Sequence, residues 1–438
     1  MKLKSLIFLV LINISLMSGQ SGFGPEQIIS TTAYQACYVY ACDIDGDGDN
    51  DVLSACTYDN KIAWYENTDG NGSFSGEIII TTLACGASSV FACDLDNDND
   101  NDVISASTAD DKLAWYENTD GFGNFGQQQI ISDYYEGACH VYACDIDQDN
   151  DIDILLASIF DNNLSWFENI DGNGNFSTHI LISNNVDAPT SIYACDLDGD
   201  GDYDVLSASC VDDKVAWYEN TNGEGTFGAQ KIISTNTDYV RSVYACDIDG
   251  DSDNDVLSAS AADDKIAWFE NIDGNGTFSS ERIISNSADY AYFVYAEDID
   301  NDGDKDVLSA SMNDNKIAWY ENTDGLGTFG EQKIISTSAH ETQCVFAIDI
   351  DGDGDNDVLS ASWDDNKIAW YENIDNVSKI RSLQKHVHIY PNPTNRIVNI
   401  EFTKNNIKKI TVSDITGKLI FQKTSADKKE TKQQGPRS

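Results

Sequence analysis

Seven stretches of nine residues carry aspartate at five alternate positions, and oxygen donors crowded in that way suit one task above others, the holding of a hard cation. The first stretch has Asp43, Asp45, Asp47, Asp49 and Asp51, and the second Asp94, Asp96, Asp98, Asp100 and Asp102. The third has Asp145, Asp147, Asp149, Asp151 and Asp153, and the fourth Asp196, Asp198, Asp200, Asp202 and Asp204. Asp247, Asp249, Asp251, Asp253 and Asp255 form the fifth, and Asp298, Asp300, Asp302, Asp304 and Asp306 the sixth. The seventh is Asp349, Asp351, Asp353, Asp355 and Asp357. Calcium takes about six to eight oxygens, so carboxylates at positions 1, 3, 5 and 9 with a main-chain carbonyl at 7 suit it far better than they suit zinc. Position 6 must turn sharply. It holds Gly48, Asn99, Asn150, Gly201, Ser252, Gly303 and Gly354, all but Ser252 at ease in the left-handed region. An EF-hand would need glutamate at position 12 and helical flanks. Position 12 is instead serine, or Leu156 in the third copy, and the flanks read as strand. The expectation is up to seven structural Ca2+, each adding about 1–3 kcal/mol to folding at roughly 10 mM calcium. Without a counter-ion, five like charges in nine residues repel strongly.

A second set of residues stands out by varying where the acidic loops do not. The units agree closely in the Asp loops and in the turn at 69–72, whereas residues 31–38 and 57–58 and their equivalents differ in every copy. Those variable segments carry Tyr34, Tyr58, Tyr134, Tyr135, His140, Phe160, Tyr239, Arg241, Tyr290, Tyr292, His340 and Trp363, side chains suited to gripping a glycan or an extracellular protein. Trp363 is the one tryptophan outside the repeated position. Drift in unconstrained surface loops would leave a similar pattern. Catalysis has little to build on: His140, His179 and His340 come with no nucleophile motif, so no catalytic residues are expected. A polysaccharide lyase or hydrolase, or a purely structural surface protein, are the rival readings.

The elements that must position both sets follow from the period. The loops recur every 51 residues without insertion, each followed 21 residues after its first Asp by tryptophan: Trp64, Trp115, Trp166, Trp217, Trp268, Trp319 and Trp370. One supersecondary unit stacks on copies of itself. Within a unit, residues 39–43, 52–56, 61–66 and 77–81 read as strands separated by turn chemistry at the Asp loop, at Asp59 and Asn60, and at 69–72. Four antiparallel strands repeated seven times describe an all-β, seven-bladed propeller. The seventh unit lacks its outer strand, and a matching segment, 23–30, stands at the amino terminus. That segment should complete the last blade and close the ring. In an up-and-down blade the acidic loops then lie at one end and the variable segments at the other.

Composition narrows the setting. The formal charge is −49, from 26 basic and 75 acidic residues. The seven loops hold 35 of those acids, and seven divalent ions would still leave the chain about 35 negative, so nucleic acid is no partner. Residues 1–20 read as a signal peptide, Lys2 and Lys4 preceding an apolar run too short to span a bilayer, and no later transmembrane segment follows. A secreted or outer-membrane surface-attached monomer is expected. Eleven cysteines suggest disulfides, but Cys42, Cys93, Cys144, Cys195 and Cys246 share one repeat position that reads as apolar packing. Cys37 and Cys56 are the within-repeat pair placed for a bridge.

The loop Asp-Ile-Asp-Gly-Asp-Gly-Asp-Asn-Asp at 43–51 and pairs such as Phe125-Gly126 and Phe329-Gly330 resemble FG-GAP or VCBS repeats, the blades of integrin α-subunit propellers. The resemblance covers 22–378 and implies calcium in the Asp loops and a role in adhesion or ligand binding. Residues 379–438 are a basic module, similar to the C-terminal sorting domain of the type IX secretion system of Bacteroidota through Ile389-Tyr390-Pro391-Asn392-Pro393-Thr394 and Ile410-Thr411-Val412-Ser413-Asp414-Ile415-Thr416-Gly417-Lys418. That similarity implies a small β-sandwich-like module and the type IX secretion machinery as partner. The run at 428–436 departs from the family's closing strand, so the module is expected to end short.

Overall fold

The computed structural model describes residues 22–374 and the strands Val387–Tyr390, Asn399–Phe402, Lys409–Ser413 and Leu419–Thr424. The chain divides after Asn373 into two compact units. The first is built of seven four-stranded antiparallel sheets. The second contains two antiparallel pairs, Val387–Tyr390 with Asn399–Phe402 and Lys409–Ser413 with Leu419–Thr424. The expected signal peptide and the run at 428–436 lie outside the described residues. No helix among the described residues is long and apolar enough to cross a membrane.

Blade 1 shows how sequence becomes sheet. Its strands are Ala36–Cys42, Asp51–Cys56, Lys61–Tyr65 and Ile78–Thr81, in that spatial order. The second turn closes through Asn60 at φ 57°, and the six equivalent positions are Asn or Asp, also with positive φ. These residue types tolerate the left-handed region. The second strand, Asp51–Cys56, is buried along its whole length, and the small side chains of Ser54 and Ala55 suit its place between neighbouring sheets. The innermost strand starts three residues earlier than its alternation suggests. Its register with the second strand shifts between Ala36 and Tyr38, a bulge at Cys37 that every blade repeats at the equivalent residue. The bulge also disposes of the expected disulfide. Cys37 Sγ is turned to donate to Ala55 O at 3.4 Å and to Ala87 O of the next blade at 3.2 Å, and all eleven cysteines are free thiols.

The apolar core lies between blades. Tyr65 and Val52 of blade 1 pack with Leu359, Ile368 and Trp370 of blade 7, and Trp64 packs with Val90, Val103 and Tyr116 of blade 2. Six of the seven indoles also fix the next blade's third turn. A Cβ added to Gly123 would lie 2.3 Å from Trp64 Cζ2, and the backbone there has φ +74°. Along the axis, Tyr40, Phe91, Tyr142, Tyr193, Tyr244, Tyr295 and Phe346 touch in succession, with ring centroids between 4.7 Å and 5.2 Å, and Phe346 returns to Tyr40. One aromatic from each blade therefore forms a closed girdle.

The ring closes through the amino-terminal segment. Gln27–Ser30 pairs antiparallel with Lys367–Tyr371, Phe23 bridges Asn373, and Gly24 N–H donates to Glu372 O at 2.7 Å. Glu26 takes the Lys367 ammonium at 2.8 Å, as Glu77 takes Lys61 at 2.8 Å within blade 1. The segment thus reproduces contacts that the other blades make from their own outer strand, and Lys367–Tyr371 is not left as an unpaired edge.

The glycine contacts yield a contrast. Gly123→Ala should cost about 2–4 kcal/mol, since its Cβ meets an indole wedged between blades and adopts an unfavourable φ. Gly48→Ala, at φ +96° with nothing within 4 Å, should cost only about 1 kcal/mol. Urea unfolding at saturating calcium measures both.

Candidate functional site

Within the first acidic loop most carboxylate oxygens shape the loop itself. Asp43 Oδ1 accepts from Gly46 N–H at 2.7 Å and Oδ2 from Gly48 N–H at 3.0 Å. Asp47 Oδ1 accepts from Asp49 N–H at 3.2 Å. Asp51, fully buried, accepts from Ile44 N–H at 3.0 Å and from Asn67 N–H at 2.8 Å, so it joins the first turn to the third. Asn67 then reaches the neighbouring blade, its Nδ2 donating to Ile350 O at 2.8 Å. The same reach recurs from Asn118 to Ile44 O, from Asn169 to Leu95 O and from Asn220 to Ile146 O. Loop also meets loop through Asn101 Nδ2 on Asp43 O at 2.7 Å and Asn50 Nδ2 on Asp349 O at 2.8 Å. Sequence reasoning missed this asparagine series. Its signal was present, an Asn three residues after each repeated Trp.

What these bonds leave over is informative. Asp45 Oδ1 and Asp49 Oδ1 are sealed from solvent and accept from no donor. So are the position-3 oxygens of Asp96, Asp147, Asp198 and Asp249 and the position-7 oxygens of Asp100, Asp202 and Asp304. Carboxylate oxygens of Asp43, Asp45 and Asp51 come within 4.8 Å of one another, as do those of Asp145, Asp147 and Asp153, and of Asp196, Asp198 and Asp204. Buried anionic oxygens with no donor are costly unless a cation meets them. Burial, opposed by the Asn67 and Ile44 N–H groups, pushes the Asp51 carboxyl up to about 7, and burial raises Asp102 and Asp357 to about 8. Burial, reinforced by Asp47, raises Asp49 to about 6. An all-oxygen donor set with orphaned buried atoms fits a hard divalent ion.

The twelve residues expected on the opposite face occupy several places. Tyr34 and Tyr58 are exposed with ring centroids 6.5 Å apart in blade 1. In blade 3, Tyr134 stacks on His179 at 4.8 Å, the buried Tyr135 meets both, and Phe160 stands exposed. Tyr239 and Tyr290 lie 6.3 Å apart across blades 5 and 6, and Arg241 lies over the Tyr292 ring at 4.4 Å. His140, Arg241 and Tyr292 fall within innermost strands and not in the loops before them, because those strands begin early at the bulge. His140 lines the axial cavity, where burial pushes its imidazole down to about 4. In blade 7, His340 O accepts from Asp364 N–H at 3.2 Å, and Trp363 packs against the cluster holding Leu53 and Trp64. The cavity takes only His140 of the twelve.

The FG-GAP-like repeat matches six overlapping stretches, 43–105, 94–156, 145–207, 196–258, 247–309 and 298–360, and a secretion system C-terminal sorting domain matches 388–435. No curated protein matches the chain. Among solved structures, an Agrocybe aegerita lectin described as recognising non-reducing terminal N-acetylglucosamine is similar with TM-score 0.52 and 18% identity, over 69% of this chain and 81% of that one. Virginiamycin B lyase from Staphylococcus aureus gives TM-score 0.54 at 14% identity, over 80% of this chain and 99% of that one. At such identities the likeness is one of fold.

The raised carboxyl groups set a sign for pH. A carboxyl whose folded value lies above its unfolded value near 3.8 lends stability while protonated and loses it as pH rises through about 7. With metal chelated, the melting temperature should therefore fall between pH 5 and pH 8. With about 10 mM calcium it should rise over the same interval, because deprotonated loops bind the ion. Asp96→Asn should leave the chelated protein unchanged or steadier and remove about 1–3 kcal/mol of calcium-dependent stabilisation. Thermal melts at both pH values check all three outcomes.

Proposed function

Because this chain belongs to the FG-GAP-like repeat family, we propose that it is a calcium-stabilised propeller that presents the face opposite its acidic loops as a binding or adhesion surface. Its sorting domain indicates secretion to the cell surface or beyond and engages the type IX secretion machinery. The ligand is an extracellular glycan or protein.

The observation that carries this reading is a division of labour between the two ends of each blade. At one end, buried aspartate oxygens wait for a counter-ion. Asp at positions 1, 3, 5 and 9 would hold it, and the ion would supply charge neutralisation that stiffens the loop. At the other end, Tyr58 is 72% exposed, Tyr134 68% and Phe160 67%, large apolar surfaces that a protein leaves in water only at some cost. Metal and ligand therefore act at separate places: the ion sets the rigidity of the frame and the rings make the contact.

The test is binding of the calcium-loaded protein to immobilised extracellular glycans and surface proteins. Tyr58→Ala and Tyr134→Ala should each weaken capture about tenfold while leaving the melting temperature within a few degrees. Asp96→Asn at saturating calcium should leave capture intact. Release of shortened product from a captured polysaccharide would replace this reading with an enzymatic one.

A further inference from the structure

The axial cavity follows from unequal side chains at one repeat position. Two residues before each girdle aromatic, and so on the same face of the innermost strand, blades 1, 3 and 6 carry Tyr38, His140 and Phe293. Blades 4 and 5 carry Ser191 and Ser242 there. The Tyr38 ring meets His140 and Phe293 edge-on, at centroid separations of 5.6 Å and 5.8 Å. Blades 3 and 6 do not adjoin blade 1, so Tyr38 reaches them over the axis. The two serines leave their share of that layer unfilled, and these five side chains with the girdle line a space of ≈ 190 Å³. None of its lining residues bears a charge, since burial pushes the His140 imidazole down to about 4 and keeps it neutral.

The polar atoms of the wall are committed in one direction. Ser191 Oγ accepts from Val243 N–H at 3.4 Å, and Ser242 Oγ from Val294 N–H at 3.5 Å. His140 Nδ1 takes the equivalent Ile192 N–H at 3.4 Å, so the neutral ring carries its proton on Nε2. That proton is donated to Tyr38 Oη, 3.4 Å away. In all three hydroxyl groups the oxygen accepts, and none of the three protons meets an acceptor among the described residues. A buried donor left in that condition is costly. Tyr38 is the best placed to relieve it, because its ring spans the axis and accepting from His140 strengthens its own hydroxyl as a donor.

Size and charge then define the guest. Apolar cavities of about 150 Å³ take up benzene, so this one has room for a single ring with a small substituent. A carboxylate would surrender its hydration to a wall without a cation, whereas a neutral oxygen acceptor loses far less. We propose that the axial cavity binds a small neutral aromatic carbonyl compound, its ring against the girdle and its carbonyl oxygen accepting from the Tyr38 hydroxyl. The site is separate from the exposed Tyr58 and Tyr134, and it stands or falls independently of the adhesion reading.

The experiment is calorimetric titration of the calcium-loaded full chain with three probes: acetophenone, α-methylstyrene, which has the same shape without the acceptor, and benzoate. Acetophenone should bind about fivefold more tightly than α-methylstyrene, the increment of one hydrogen bond, and benzoate more weakly than either. Tyr38→Phe should erase the preference for acetophenone and leave α-methylstyrene binding as it was. Ser191→Leu, which fills the cavity, should abolish binding of both neutral probes. Equal affinity for acetophenone and α-methylstyrene, tightest binding of benzoate, or an undiminished preference in Tyr38→Phe overturns the proposal. So does unchanged binding in a Ser191→Leu protein of wild-type melting temperature. Should Ser191→Leu melt early, Tyr38→Phe decides alone, since it removes one oxygen and leaves the ring in place. Absence of acetophenone binding by the wild type at millimolar concentration also overturns it.

Discussion

A buried carboxylate at the ninth loop position holds each blade in order. Asp51 accepts one N–H from its own loop and one from Asn67, and Asn67 spends its amide on the carbonyl of Ile350 in the adjoining blade. Three turns on two blades therefore depend on a single anionic group placed in apolar surroundings. Such a group is stable as an anion only if its field is balanced, and the backbone donors that reach it do not offset burial, as its raised pKa shows. The neighbouring position-3 and position-7 oxygens add to the demand and meet no donor. Loop charge and blade registration are in this sense one electrostatic problem repeated around the ring.

Much of this was legible in the sequence because the repeat is strict. The period exposed the acidic loops and the tryptophans, and the displaced segment at 23–30 announced how the ring closes, which pairing of Gln27 with Trp370 bears out. Periodicity tells which positions are held constant but not which neighbour they serve. Asn67 looked like one more turn residue because the carbonyl it holds is 283 positions away. The bulge at Cys37 leaves no mark in residue type, since Ser, Thr, Arg, Tyr and Gln occupy its equivalents. For that reason the innermost strand looked shorter than it is. His140, Arg241 and Tyr292 were consequently read as loop residues, and the thiol of Cys37 was aimed at the wrong partner.

The two ends of the blades answer to different physics. At the loop end, charge and backbone geometry are so tightly specified that little beyond Asp, Asn and Gly is tolerated at the turning positions. At the other end, the second turn closes on an Asn or Asp with positive φ and leaves its flanking residues free, and Tyr58, Phe160 and Trp363 occupy such freed places. The interior between the ends is nearly uniform, six of the seven sheets pressing one indole under a glycine of the next. A frame with identical internal joints can vary one rim without disturbing the other.

The closing strand has a consequence for how the molecule comes to exist. Glu26 and Tyr371 meet across 345 positions, so the first β-segment made has no partner until the last blade has been synthesised. Until then every intermediate displays an unpaired edge and an incomplete girdle. The ring's final geometry is therefore set only when its two most distant segments in sequence have met.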